Sequence, residues 1–436
     1  MPRRKLFPIA GLAAMAMLWL APTHGAKPRD EMLELYGVFV DAVEQVEANY
    51  VRPVPRKELL ENALKGMLLS LDPHSTYFTQ AEWTQFLKEI GESFTGIGVS
   101  IEIDPDTKRL RVLSPLPGSP AYAAGILPGD IIIEIDGKST EGMNRDQAIE
   151  ALQGRPGTQV TLKVVHLRSR EPVDLTLTRQ IIQPPSVVGD VRKADDQWDF
   201  LIAQDPKIGY VRITNFIQET PDEVKKAVEE LTAQGAKGLV IDLRDNSGGL
   251  LSAAVAIADL FLKEGKIVTT KGRNQRDQSY EAEEEGTVDG LPIVVLVNQF
   301  SASASEILAA ALQDHKRAVV VGQRSYGKGS VQHSLPLDNG QSVLKLTVAT
   351  YWRPSGKNIH RFAGALPTDE WGVSPDEGME VKWTPEEYVQ WAQARRKRDL
   401  IAHGLDPDAA KEAAPPRPKD TQLDKALEVL RGKIAG

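Results

Sequence analysis

Leu291-Pro-Ile-Val-Val-Leu-Val297 runs directly into Asn298-Gln-Phe-Ser301-Ala-Ser303-Ala-Ser305-Glu306-Ile307. The first seven residues form an apolar run with the length of a buried strand, and from Glu306 onward Ile307, Leu308, Ala311 and Leu312 fall on one helical face. The serines therefore occupy a strand-to-helix turn. Such a turn presents a hydroxyl at the open edge of a sheet, and the helix behind it offers unpaired N–H groups and the positive end of its dipole to an anion. The same residues also read as a local cap, because Ser303-Ala304-Ser305-Glu306 has the Ser-x-x-Glu form of a capping box.

Downstream, Arg317-Ala-Val-Val-Val-Gly322-Gln-Arg-Ser-Tyr-Gly327-Lys328-Gly329-Ser330-Val331-Gln332 reads as a second buried strand followed by a lysine between two glycines. Glycine lets a chain pass close to a neighbouring turn, so a Ser/Lys pair is a candidate nucleophile and base. Residues Gly322 to Lys328 also match the first seven positions of a phosphate-binding loop. The eighth is Gly329, where Ser or Thr would hold magnesium, and the residues beyond read as strand where a phosphate loop needs a helix. Nucleotide binding is not expected.

Asn-x-x-Ser-Ala-Ser-Ala-Ser-Glu from Asn298, followed by Tyr-Gly-Lys-Gly-x-Val-Gln from Tyr326, resembles the carboxyl-terminal processing peptidases, serine peptidases with a Ser/Lys/Gln site and a PDZ domain. The resemblance extends from about Leu35 to Asp376. Matched position by position, it implies Ser303 as nucleophile, Lys328 as general base and Gln332 as the amide that orients the lysine. It also implies a multidomain α/β protein whose peptidase core is the crotonase- and Clp-like strand-strand-helix spiral, with a β-rich PDZ domain inserted and helical N- and C-terminal regions. One departure is Ile359 to Pro375, which is longer than the family's link between Pro-Ser-Gly and Gly-Val-x-Pro-Asp.

Peptide hydrolysis further needs donors for an oxyanion. With Ser303 attacking, its helix turn offers the N–H of Ala304, and the loop Arg244-Asp-Asn-Ser-Gly248-Gly249 offers a second; the sequence leaves open which glycine supplies it. A lysine acts as base only when neutral, so its pKa must fall by roughly three units, which desolvation can supply. Along an extended segment Gln332 would share a side with Lys328 and Ser330, and His333 would face away, which argues against a Ser/His triad.

Around this centre, residues 182–383 alternate strand and helix, as a largely parallel core requires. Thr220-Pro-Asp-Glu223 reads there as N-cap, N1 proline and capping glutamate. Residues 91–181 change to short strands with Pro-Gly, Pro-Gly-Asp and Asp-Gly turns and one helix from about Arg145. This resembles a circularly permuted PDZ domain. Its loop Gly96-Ile97-Gly98-Val99 matches the one whose N–H groups receive a peptide's terminal carboxylate, the peptide adding as a strand beside Val99 to Ile103. Residues 27–90 carry three amphipathic helices, which in the family contribute to dimerisation. Residues 384–436 read as a helical tail with a linker at Asp406 to Asp420, its basic cluster Arg395 to Arg398 on a solvated face. Residues 1–26, with Arg3, Arg4 and Lys5 before an apolar run to Ala21, have the form of a signal peptide, which places the mature protein in the periplasm, free or associated with the inner membrane.

Of 436 residues, 41% are hydrophobic and 26% charged, an ordinary globular balance, and the net charge of −8 argues against nucleic acid as a partner. The absence of cysteine excludes disulfides, a thiol nucleophile and zinc-thiolate sites, and neither a metal nor another cofactor is expected. The expected partners are protein substrates with apolar C-terminal tails, a second copy of the chain or a higher homo-oligomer, and an adaptor protein. The rival reading is a PDZ-containing scaffold with a dead peptidase core.

Overall fold

The apolar runs become the strands of a sheet buried on both faces, which is why they show no polar alternation. The computed structural model of the chain describes residues 29–90, 94–166, 171–193, 195–400 and 417–436. The expected leader and most of the expected linker lie outside them. The chain divides into two compact units, one ending at Tyr77 and one spanning Phe78–Gly436.

The first unit contains α1 (Arg29–Asn49) and α2 (Arg56–Leu69). The second begins near α3 (Gln80–Ile90) and continues into an antiparallel sheet of β1 (Val99–Ile103), β2 (Leu110–Pro115), β3 (Ile131–Ile135), β4 (Gln159–Val165) and β5 (Pro172–Thr178), in that order. Between β3 and β4 lies α4 (Arg145–Leu152), whose start is fixed by a capping box between Asn144 and Gln147. Ile101, Leu110, Val112, Ile132, Leu162 and Leu152 form this sheet's own core.

The remaining chain builds a parallel sheet from β6 (Lys207–Ile213), β7 (Gly238–Asp242), β8 (Ile293–Val297) and β9 (Ala318–Gly322), with neighbours in sequence order. Successive side chains point to opposite faces. Ile213, Ile241, Val295 and Val297 pack with α5 (Thr220–Ala233), α6 (Leu251–Asp259) and α7 (Ala304–Asp314), while Tyr210, Val240, Leu296 and Val321 meet the C-terminal helix. An antiparallel ribbon of β10 (Ser330–Leu337) and β11 (Ser342–Trp352) adjoins the core and follows the lysine segment. The multidomain α/β class expected from the sequence is the one observed.

Two local readings change. Glu223 does not close a capping box; its carboxylate accepts the N–H groups of Ser186 and Val187, both at 2.9 Å, and so ties a short edge strand to α5. The basic cluster is only half a solvated face: Arg396 and Lys397 are exposed, Arg395 and Arg398 are not. Arg395 and Arg398, on α8 (Pro385–Asp399), are each 6% exposed and reach Asp190 at 3.0 and 2.8 Å, with Arg417 joining at 3.1 Å. A buried carboxylate with three guanidiniums around it explains how these charges leave water.

The final helix, α9 (Thr421–Ala435), likewise belongs to the core: Leu423, Ala426, Leu427 and Leu430 lie on the sheet's second face. Its N-cap, Asp420, forms a buried pair with Arg244, which also holds Asp242. Leu430→Ala, at a fully buried position, is expected to cost about 2–5 kcal/mol in urea unfolding. A loss below about 1 kcal/mol would mean that this helix does not support the sheet.

Candidate active site

The end of β8 and the head of α7 hold three serines, and their surroundings distinguish them. Ser301 donates its hydroxyl to the Leu243 carbonyl at 2.8 Å, and Ser305 donates to the Asn246 carbonyl at 3.0 Å; both are fully buried. These two pin the turn to the loop after β7. Ser303 alone is half-buried, and among the described residues its hydroxyl donates to nothing. Its backbone has φ 57° and ψ −114°, a left-handed conformation that costs a non-glycine residue about 1–3 kcal/mol. The strain persists because the bonds on either side over-determine it.

The loop after β7 closes against this serine. A methyl group on Gly248 would lie 2.7 Å from Ser303 Cβ and 3.0 Å from the Ala304 nitrogen, so only glycine fits. The Gly248 N–H donates to Asn246 Oδ1 at 2.8 Å, whereas the Gly249 and Ala304 N–H groups have no acceptor among the described residues. Of the two glycines, Gly249 is the one whose N–H is left uncovered among the described residues. Asn246 is buried and also donates to the Ile213 carbonyl at 2.8 Å, which fixes the loop to β6.

After β9 the chain runs alongside the serine turn, with the Tyr326 N–H donating to the Ser301 carbonyl at 3.0 Å. Glu306 then joins the two segments. Its Oε2 accepts the backbone N–H groups of Ser303 and Lys328, both at 2.8 Å, and its Oε1 accepts Ser325 Oγ at 2.5 Å and the Gly327 N–H at 2.6 Å. The carboxylate is wholly buried, and burial pushes its pKa up to about 7 against the pull of these donors. The cap expected from the sequence accounts for one of its four bonds.

Lys328 is half-buried, and its ammonium makes no hydrogen bond or ion pair among the described residues. Desolvation holds its pKa below the usual lysine value, with the Glu306 carboxylate opposing. Part of the cover is the long segment noted at Ile359 to Pro375. Arg361 donates its N–H to the Gly327 carbonyl at 2.8 Å, and Trp371 lies between the guanidiniums of Arg324 and Arg361, 3.7 and 4.6 Å from its ring centroid.

Gln332 meets Ser330, as the alternation along the strand predicts, but not Lys328. Its Nε2 donates to Ser330 Oγ at 2.9 Å and to Thr347 Oγ1 at 3.1 Å, and it makes no bond to Lys328. The ladder between β10 and β11 shifts register between Val331 and Gln332, whose partners are Ala349 and Thr347, so the extra residue is Val348 on β11 and not on the strand that carries Gln332. His333 is exposed on β10, and His315, the other histidine close by in sequence, caps the far end of α7.

At the sheet of β1 to β5, the Ile97 and Gly98 N–H groups have no acceptor among the described residues, while the Gly98 carbonyl is held from behind by the Leu116 N–H at 2.9 Å and Ser119 Oγ at 3.0 Å. A methyl group on Gly98 would strike Ser119 Cβ at 2.3 Å. The loop therefore turns donors outward, beside an edge strand and α4.

Residues 207–378 match the model of peptidase family S41, and residues 111–165 match that of the PDZ domain. The carboxy-terminal-processing protease of Bartonella bacilliformis is 35% identical over 448 residues, covering 100% of this chain and 97% of that protein. The carboxyl-terminal-processing protease of Synechocystis is 38% identical, covering 88% of this chain and 80% of that one. Among solved structures, the photosystem II D1 C-terminal processing protease is 31% identical with a TM-score of 0.44, covering 79% of this chain and 92% of that one. This chain belongs to peptidase family S41, as a serine peptidase of the carboxy-terminal-processing group that carries a PDZ domain.

Proposed function

We propose that Ser303 attacks the scissile carbonyl of a protein substrate while Lys328, in its neutral form, takes the hydroxyl proton. The Ala304 and Gly249 N–H groups receive the oxyanion. The observation that carries this reading is the one serine hydroxyl at the head of α7 that donates to nothing among the described residues, with its backbone and that of Lys328 tied to one carboxylate oxygen. For Gln332 the available atom is its amide oxygen, which accepts nothing among the described residues and can hold the amine without adding a charge. The loop from Gly96 to Val99 captures the substrate's terminal carboxylate, and the tail adds as a strand to β1. A scaffold would need neither the strained serine nor the uncovered donors.

The test uses a loosely folded protein that ends in an apolar tail. The purified chain is expected to cleave it, and more slowly when the tail's α-carboxylate is amidated. Absence of cleavage overturns the hydrolytic reading; equal rates with both tails remove the capture loop.

Two further parts of the reading concern where the protein works and with what. The apolar leader supports export to the periplasm, which an enzyme fusion to residues 1–26 would test by compartment. In the first unit Leu35, Tyr36, Val38 and Phe39 are exposed, more apolar surface than one helix ordinarily leaves in water, and supports self-association through that unit. Leu35→Asp with Phe39→Asp is expected to shift the mass measured by light scattering to that of a single chain. An unchanged mass would place the contact elsewhere.

A further inference from the structure

The groove of the PDZ domain, about 450 Å³, runs between the free edge of β1 and α4. Its two ends differ. At one end α4 finishes against the loop: a methyl group on Gly96 would stand 3.7 Å from the Leu152 carbonyl oxygen. Ile149 and Leu152 line this end together with Ile97 and Val99, an apolar pocket beside the uncovered Ile97 and Gly98 N–H groups. At the other end of α4, Arg145 lines the groove.

Arg145 is exposed, and among the described residues its guanidinium makes no hydrogen bond or ion pair. It is also the first residue of its helix, where the dipole favours an acid over a cation. The other charged groups on the groove, Arg192 and Asp399, have hydrogen-bond partners. Arg192 Nε donates to the Asp399 carbonyl at 3.3 Å, and the Asp399 carboxylate takes Arg212 at 2.7 Å and Arg395 at 3.0 Å. Arg145 is thus the charged group on this groove that has no hydrogen-bond or ion-pair partner among the described residues.

A tail whose carboxylate meets the loop runs antiparallel to β1, and its last side chain and the one two residues earlier point to the same side, about 6.6 Å apart. From the Ile149–Leu152 pocket to Arg145 is about 8 Å along the helix axis, a step that a long guanidinium side chain spans. We infer that Arg145 selects substrates with an acidic residue two positions before an apolar C-terminal residue. The inference rests on the capture loop proposed above and adds a charge preference to it.

Fluorescently labelled peptides ending in Asp-Ala-Val, Ala-Ala-Val, Lys-Ala-Val and Ala-Asp-Val, each as free acid and as amide, are titrated against the full chain carrying Ser303→Ala to prevent cleavage. The Asp-Ala-Val acid is expected to bind about three- to fivefold more tightly than Ala-Ala-Val, the range of an exposed ion pair. Lys-Ala-Val should bind more weakly than either, and Ala-Asp-Val should gain nothing, since its acid faces the other side. The preference should shrink in 0.5 M salt, disappear in Arg145→Gln and reverse in Arg145→Glu. Free acids that bind better than amides but without regard to the charge two positions back would overturn the role of Arg145 and leave the loop standing. Free acids and amides that bind alike, or no binding at all, would overturn the loop and this inference with it.

Discussion

Lys328→Ala and Ser303→Ala are each expected to lower kcat/KM for a loosely folded protein by on the order of 10⁴-fold or more, because the residues of a nucleophilic unit fail together when one is removed. Lys328→Arg separates the roles a cation could play. Arginine keeps the charge and cannot lose its proton at working pH, so a lysine that acts by charge alone would survive the exchange, and one that acts as a base would not. The expected outcome is loss with arginine as complete as with alanine; retained activity would exclude the neutral amine. In the wild type kcat/KM should climb with pH along an acid limb that lies below the ordinary lysine value of 10.5, since desolvation depresses the pKa of Lys328.

Stability gives an independent readout of the same residue. A lysine whose folded pKa is depressed contributes fully above its ordinary value, and that contribution is lost as pH falls through the depressed one. Below its depressed pKa the protein carries an ammonium that it desolvates and that makes no hydrogen bond among the described residues. Lys328→Met should hold or raise the melting temperature while activity vanishes. A fall of several degrees would mean that the amine is a structural partner.

The sequence shows the catalytic turn because its signals are local. The run from Leu291 to Val297 is apolar throughout since β8 is buried on both faces, and the helical pattern after Glu306 marks where the strand must end. The PDZ domain is legible for the same reason, through turn residues and alternating strands. What the sequence hides depends on chain segments far apart. Glu306 reads as a cap on Ser303, yet three of its four donors come from residues 19 to 22 positions away, after β9 has returned beside the turn. Arg395 and Arg398 read as a wet cluster because their partner, Asp190, lies more than two hundred residues earlier. The bulge opposite Val331 and Gln332 carries no glycine or proline to announce it, since its extra residue is Val348 on β11. Asn246 and Asn298 were visible only as members of quoted motifs; that the first holds Gly248 and the second holds Asp245 emerges once β7 and β8 lie side by side.

Glu306→Gln is expected to remove most activity and to shift what remains to lower pH. The carboxylate has two acceptor oxygens for four donors, two on each. An amide offers one oxygen and turns an NH₂ toward the other pair, leaving at least two buried donors facing hydrogens. Each orphaned donor costs about 1–3 kcal/mol, and the displaced backbones are those of Ser303 and Lys328, where a shift of about 1 Å costs on the order of 10²-fold in rate. The charge adds a second effect of known sign. Burial raises the pKa of Glu306 to about 7, so above that pH it is an anion, and that anion raises the lysine's pKa. Removing it should move the acid limb of kcat/KM downward. The stability of the wild type should be greatest below the ordinary carboxyl value of 4.5 as far as this group is concerned, and should fall as pH rises through about 7, because a raised folded pKa favours the protonated form. The amide variant cannot ionise and should lack that slope. Glu306→Asp keeps the charge with a shorter reach, so it should lose rate while keeping the limb near its wild-type position. If Glu306→Gln leaves both the limb and the rate unchanged, the carboxylate is a helix cap alone, and the alignment of Ser303 with Lys328 must come from the Asn246 loop and the covering segment at Trp371.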